Sequence, residues 1–311
     1  HEKAYHGNTI ASASLSGVAY AHKGFNLPLE GFLHVRKPHF FEDAQEGETE
    51  AQFVARLLAE LEARILSEGP DTIAAFFTEP VMAAGGVIVP PDGYFDGLQA
   101  LLNKYDILLV ADEVVTAFGR TGNMFGTTTM KLRPDLIVCA KGLTSAYIPM
   151  SALLINARIF DAMVEYSDRL GIFGLTMTYS GHPVSAAVAR EAIAIYEDLD
   201  IPARSAALEA TLLDGLMARL GNHPNVGDVR GVGLLAGVQL VSSREPRRFF
   251  EPSVGFGARV AALAEERGLI VRAIGDTIAI CPPLIISEDE IEMLIDRLGQ
   301  AVETAAKELD K

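Results

Sequence analysis

The chain of 311 residues has no tryptophan, only two cysteines, and 26 lysines and arginines against 41 aspartates and glutamates. Each shortage excludes something. Two cysteines, Cys139 and Cys281, far apart in sequence, cannot build a disulfide framework, which points to a reducing, cytoplasmic setting. A formal charge of −15 lacks the basic footprint of a nucleic-acid binder and disfavours anionic membrane surfaces. The longest uncharged run, Ala4 to His22, is studded with Ser, Asn, Gly and His, so it reads neither as a membrane span nor as a signal peptide. Internal repeats, low-complexity stretches and metal-ligand spacings are also missing.

What is present is a core-forming composition. Hydrophobic residues make up 49% and charged residues 22%, too apolar for a disordered chain. At roughly 100–200 residues per domain, the length suits one large or two ordinary domains. A change of pattern at Asp198-Leu-Asp-Ile-Pro202 divides the reading into a large domain, 1–200, and a small C-terminal domain, 201–311. The chain starts at His1 inside what reads as folded sequence, so a further N-terminal piece is expected.

From Thr49 to Gly69, Phe53, Val54, Leu57, Leu58, Leu61, Ile65 and Leu66 share one helical face, and Gly69-Pro70 stops the helix. Three short apolar runs follow: Ile73–Phe77, Ile107–Ala111 and Leu136–Ala140, with a helical pattern at Tyr94–Lys104. Such runs read as buried parallel strands of a βαβ sheet. Ligands of such sheets bind beyond the carboxyl ends of the strands, and those ends carry Glu79, Asp112 and Lys141. Beyond Pro183, helical patterns at 183–196, 205–220 and 255–267 alternate with strand patterns at 231–241, 269–272 and 277–281. A last helix opens on the capping-box spacing Ser287-Glu-Asp-Glu290.

A lysine at a strand end usually reaches solvent. A neighbouring aspartate changes that reading. A lysine amine near apolar walls sheds its proton more easily and attacks a carbonyl, and a carboxylate beside it can hold a pyridinium nitrogen protonated. Lys with Asp is the pair that pyridoxal phosphate requires. Asp112-Glu113 after Leu-Leu-Val-Ala also resembles the end of a nucleotide hydrolase strand, but no GxxxxGK[ST] loop accompanies it. Taken singly, Asp112 also reads as a cap, Tyr5 as a core tyrosine, Thr178 as a turn residue, and Arg272 as a partner for Asp276.

Six stretches decide between these readings: Tyr5-His-Gly7, Glu79–Pro91, Ala111–Gly122, Pro134–Gly142, Thr178–Pro183 and Val229–Gly233. Together and in this order they resemble the class III, omega-amino-acid:pyruvate type, of pyridoxal-phosphate-dependent aminotransferases. The resemblance implies an α/β protein of PLP-transferase fold type I. Its large domain would hold a mostly parallel, seven-stranded-type sheet flanked by helices, with a smaller α+β C-terminal domain. It implies Lys141 as Schiff-base lysine and proton shuttle, and Asp112 as partner of the pyridine nitrogen. Val114 and Tyr5 would pack on opposite ring faces, with His6 beside them as part of the cofactor motif rather than a base. Thr178 would bind the cofactor phosphate of the neighbouring subunit, making a homodimer with shared sites. Arg272 would hold a substrate carboxylate, and Glu79 stands where some relatives pair a glutamate with such an arginine.

The sequence departs from the family pattern in three places. The N-terminal segment with its phosphate-cradling turn is not among these residues. Leu175-Thr176-Met177 replaces a His-Gly-aromatic stretch, and Ala117 stands where glycine is common, tolerable only at negative φ. The expected reaction moves an amino group from an omega-amino acid or amine to a keto acid, pyruvate foremost, by a ping-pong route. Aminomutase, decarboxylase or racemase chemistry on the same scaffold stays open, as does a catalytically incomplete fragment that keeps only fold and dimerisation.

Overall fold

Thr49 begins the first long helix. Its hydroxyl accepts from Gln52 N, and the Gln52 side chain accepts from Thr49 N, satisfying two donors that a helix start leaves free. The computed structural model describes residues 1–309. The helices are α1 (Ile10–Leu15), α2 (Phe40–Asp43), α3 (Glu50–Glu68), α4 (Tyr94–Lys104), α5 (Gly126–Thr129), α6 (Ala157–Leu170), α7 (Pro183–Asp198), α8 (Ile201–Leu220), α9 (Phe256–Glu266) and α10 (Glu288–Leu309). The strands are β1 (Ala75–Thr78), β2 (Leu108–Asp112), β3 (Leu136–Cys139), β4 (Ala152–Ile155), β5 (Val226–Val232), β6 (Leu235–Leu240), β7 (Arg272–Ile274) and β8 (Thr277–Ile280).

The first sheet has the order β1-β2-β3-β4. β1, β2 and β3 run parallel, and β4 returns antiparallel to β3. Among the described residues this sheet carries four strands, where the family resemblance implied a seven-stranded type. α3 lays Phe53, Val54, Leu57, Leu61 and Ile65 against Tyr94, Phe95, Leu98 and Leu102 of α4, with Leu109 of β2 beneath. Leu66, assigned to that face from periodicity, is 56% exposed because it falls on the edge of the stripe.

The second sheet is antiparallel throughout, in the order β5-β6-β8-β7. The apolar pattern at 231–241, read as one strand, is a hairpin. Gly233 sits at φ +57 and turns β5 into β6. A side chain there would place its Cβ 2.4 Å from the Arg120 carbonyl oxygen, so the turn excludes every residue but glycine. α8, α9 and α10 close this sheet into a core with Leu212, Leu216, Leu220, Val260, Leu298 and Val302 at its centre. The capping box at Ser287 and Glu290 forms as its spacing predicts. β4 and α6 carried no sequence expectation: Leu153, Leu154, Phe160 and Val164 all face outward, so burial periodicity gives no signal there.

Leu216 is fully buried in the second core. Leu216→Ala is expected to cost about 2–5 kcal/mol, lowering the urea midpoint while the slope m stays unchanged.

Candidate active site

Strand register sets the site. Thr78 of β1 lies beside Ala111 of β2, and Asp112 lies beside Val138 of β3. Glu79, Asp112 and Lys141 therefore emerge together at the carboxyl edge of three adjacent parallel strands. Neighbouring strands stand about 4.8 Å apart, so side chains leaving this edge are within reach of one bound molecule.

Asp112 is the centre of the arrangement. Its side chain is 11% exposed, with Oδ2 2.8 Å from His6 Nδ1. Its Oδ1 accepts from Val114 N at 3.0 Å. The carboxylate makes His6 the donor through Nδ1, and His6 Nε2 is buried with no hydrogen-bond partner among the described residues. His6 is held from behind, where its backbone N–H donates to Ser16 Oγ.

Glu79 is 4% exposed. Its Oε1 accepts from Tyr5 N at 3.1 Å and its Oε2 from Ala83 N at 3.2 Å. Burial pushes its carboxyl up to about 8, with the charge on Asp112 adding to the shift against these two donors. It forms no ion pair with Arg272; it is spent on holding Tyr5 and the loop after β1. The peptide stretch of Tyr5 and His6 is thus gripped at both residues, across the ends of β1 and β2.

Lys141 lies just beyond β3 in a short turn, Lys141–Thr144, at φ +42. It is exposed, and its amine makes no hydrogen bond or ion pair among the described residues. The turn itself is fixed. Tyr196 Oη of α7 donates to Gly142 O at 2.7 Å, and a Cβ on Gly142 would meet Phe118 at 2.9 Å. Cys139 at the end of β3 is buried, and burial pushes its thiol up to about 12, so it stays an inert filler. Ala117 has no positive φ; the left-handed positions fall on Phe118 and Gly119, and the added methyl is accommodated.

Two of the residues selected from sequence lie away from this cluster. Thr178 sits in an exposed turn, within a stretch from 171 to 184 that is exposed throughout. Arg272 is an exposed residue opening β7, on the edge of the second sheet. It lines a cavity of about 720 Å³ together with Ile270, Cys281, Met293 and Arg297. Asp276, its candidate partner, instead accepts from Gly257 N. Sequence reasoning passed over His6 as an orienting group, since nothing local announces a contact with Asp112.

A doubly gripped carboxylate on β2 and a lysine amine just beyond the neighbouring β3, at the carboxyl edge of a parallel sheet, define a candidate ligand site of an α/β protein. The sequence matches the family Aminotransferase class-III over residues 1–302. It is 46% identical over 307 residues to a probable gamma-aminobutyrate transaminase 3, mitochondrial, of Oryza sativa subsp. indica, covering 99% of this chain and 60% of that protein. A solved structure titled "Transaminase with L-ala" superposes with a TM-score of 0.97 at 48% identity, covering 99% of this chain and 73% of the other. The omega transaminase from Pseudomonas jessenii in complex with PMP matches at a TM-score of 0.96 and 46% identity, over 99% of this chain and 68% of that one. The chain belongs to the class-III aminotransferase family, and its architecture is fold type I of the PLP-dependent transferases. It spans about 60% of the length of the curated relative.

Glu79 provides a test of the site's electrostatics. Its carboxyl titrates from an ordinary 4.5 in the unfolded chain to about 8 in the fold. Between those values the folded protein holds a proton that the unfolded chain lacks, so this group's contribution to stability falls as pH rises. The urea midpoint of the wild type, relative to Glu79→Gln, is expected to fall steadily from about pH 5 to about pH 8. A flat difference would contradict a buried, protonated Glu79.

Proposed function

We propose that this chain is a pyridoxal-phosphate-dependent transaminase that moves an amino group from an omega-amino acid or amine to a keto acid, pyruvate foremost. The observation that carries the reading is Asp112, gripped by His6 and Val114 on the strand beside the unpartnered amine of Lys141. These residues fit the cofactor. A pyridine nitrogen asks for a carboxylate held in one orientation, and an aldehyde asks for a free primary amine. Bound there, pyridoxal phosphate supplies an electron sink for the substrate carbon.

The chain's own residues then divide the work. Lys141 would hold the cofactor through its amine, and that amine would move the proton at the substrate carbon as base and then acid. Asp112 would hold the proton on the ring nitrogen, and the His6 N–H keeps the Asp112 carboxylate aimed. Tyr5, set by its backbone bond to Glu79, would cover one ring face, and Val114 would pack against the other. Arg272 receives the keto acid's carboxylate through its planar fork. Amine donor and keto acid use the site in turn, which gives ping-pong kinetics.

Thr178 serves the cofactor phosphate of a second copy, in a homodimer with shared sites. The support is the run of exposed apolar side chains in this part of the chain: Leu153 of β4, Phe160 and Val164 of α6, and Met177 and Tyr179 on either side of Thr178 are all between 43% and 81% exposed. A division near residue 200 is supported by the cluster around Leu212, Leu216 and Leu298, which draws only on residues beyond 200, and the unpaired Cys139 and Cys281 support a cytoplasmic setting.

The test is the visible spectrum of the purified protein with pyridoxal phosphate. A band is expected to appear, to bleach with an amine donor, and to return with pyruvate. 4-Aminobutyrate, the substrate in the rice relative's name, is the first donor to use. Lys141→Ala is expected to lack the band and to lose about 10²–10⁴-fold in turnover. No band in the wild type, or a band that survives Lys141→Ala, would overturn the reading. A band that bleaches with amine but never returns with any keto acid would point to another reaction on the same cofactor.

A further inference from the structure

Two arginines that the proposed chemistry leaves unused join the two sheets in opposite directions. Arg120, in the loop leading away from Asp112, reaches into the second sheet. Its Nη1 donates to Leu234 O at 2.9 Å and to Pro282 O at 2.6 Å, while its own carbonyl accepts from Leu234 N at 3.0 Å. Arg230, in β5, reaches back. Its Nε donates to Val87 O at 2.8 Å, its Nη2 to Gly86 O, and its Nη1 to Asp228 Oδ2 at 2.7 Å. The Arg230 side chain is only 10% exposed. Val81, Val87 and Leu235 form a small apolar core between them. Glycine permits the close approach: a Cβ on Gly237 would lie 3.1 Å from Gly86 O.

What these guanidiniums grip matters more than their number. Gly86 and Val87 belong to the loop whose Ala83 N–H holds Glu79. Pro282 follows β8, the strand to which Arg272 of β7 is paired. Each arginine thus links the loop after one site strand to the sheet that carries Arg272. We propose that Arg120 and Arg230 are positioning residues, a reciprocal clamp that fixes Arg272 relative to the strand ends bearing Glu79 and Asp112. Neither touches the reacting atoms. The part concerning Arg272 rests on the transaminase reading; the clamp itself does not.

The geometry distinguishes the two. Arg120 uses one nitrogen for both carbonyls, which a lysine ammonium can imitate. Arg230 uses three nitrogens on three acceptors, which a point charge cannot span. The experiment is amide hydrogen exchange on the full chain with pyridoxal phosphate, comparing Arg120→Met, Arg120→Lys, Arg230→Met and Arg230→Lys. Exchange in residues 82–89 is expected to rise about tenfold or more in both Arg230 variants. Exchange in residues 233–236 and 282–286 is expected to rise in Arg120→Met and to return toward wild type in Arg120→Lys. In steady state with an amine donor that has no carboxylate, the keto-acid KM is expected to rise about tenfold in the Met variants while the amine half-reaction stays within about threefold.

Unchanged exchange across the sheet boundary overturns the clamp. So does a parallel loss in both half-reactions, which marks general damage. If the Met variants fail to fold, equal exchange in Arg120→Lys and Arg230→Lys overturns it instead. A wild type without transaminase activity would sink the functional reading, and the exchange data would still decide the clamp.

Discussion

The bond between His6 and Asp112 is the constraint on which the rest of the site depends. An ionised carboxylate at the end of a buried strand costs several kcal/mol in lost hydration unless donors replace the water. Val114 N–H supplies one donor from the same turn. The other must come from elsewhere in the chain, and it comes from a residue more than a hundred positions earlier. To deliver that imidazole, the chain at Tyr5 and His6 has to cross the ends of β1 and β2. Gly7, at φ +122, then turns it away, with Ser12 and Ser16 packed behind. Tyr5 arrives at the site as a consequence of where His6 must be.

The same constraint explains the state of Glu79. Register places it beside Asp112 on the neighbouring strand. Two ionised carboxylates side by side in a desolvated edge repel, and burial already penalises the charge on Glu79. Glu79 is the acid whose carboxyl is raised, to about 8. A neutral Glu79 still accepts from Tyr5 N and Ala83 N, which makes it a brace between the N-terminal stretch and the loop after β1.

Much of this was legible in the sequence, and the physical reasons differ by element. α3 and α4 were readable because their apolar stripes, and the cap of α3, are local features. The ends of β1, β2 and β3 were readable because a buried parallel strand is a short apolar run closed by its first polar residue. β4 and α6 were not, since their apolar residues face outward. The hairpin at Gly233 was hidden because the residues flanking its turn, Val232 on one side and Leu234 and Leu235 on the other, are apolar and leave no break in the pattern there. Among site residues, Asp112 and Lys141 carried a chemical signal in their type and place. His6 as the donor to Asp112, and Arg120 and Arg230 as links between the sheets, act through contacts distant in sequence, where spacing is silent.

Asp112 and Glu113 are adjacent acids, and their contrast shows how the strand end sorts them. Side chains along a strand alternate faces, so two consecutive acids meet different surroundings. Glu113 is fully buried and entirely committed: Oε2 accepts from Thr116 Oγ1 at 2.5 Å and from Gly126 N at 2.8 Å, and Oε1 from Thr127 N at 2.6 Å. Those backbone donors open α5, so Glu113 satisfies a helix start and fixes the loop that follows the site. A Cβ on Gly126 would lie 3.0 Å from that carboxylate and 2.6 Å from Thr116, so the packing leaves no room for another residue. With its donors all internal, Glu113 has nothing left to offer a ligand. Asp112, one residue earlier, has two donors from the protein and keeps part of its surface open, which is the condition for a carboxylate to bind something else. The sequence pair Asp-Glu is therefore one acid left partly open and one acid wholly committed, and the turn built on the second holds the first in place.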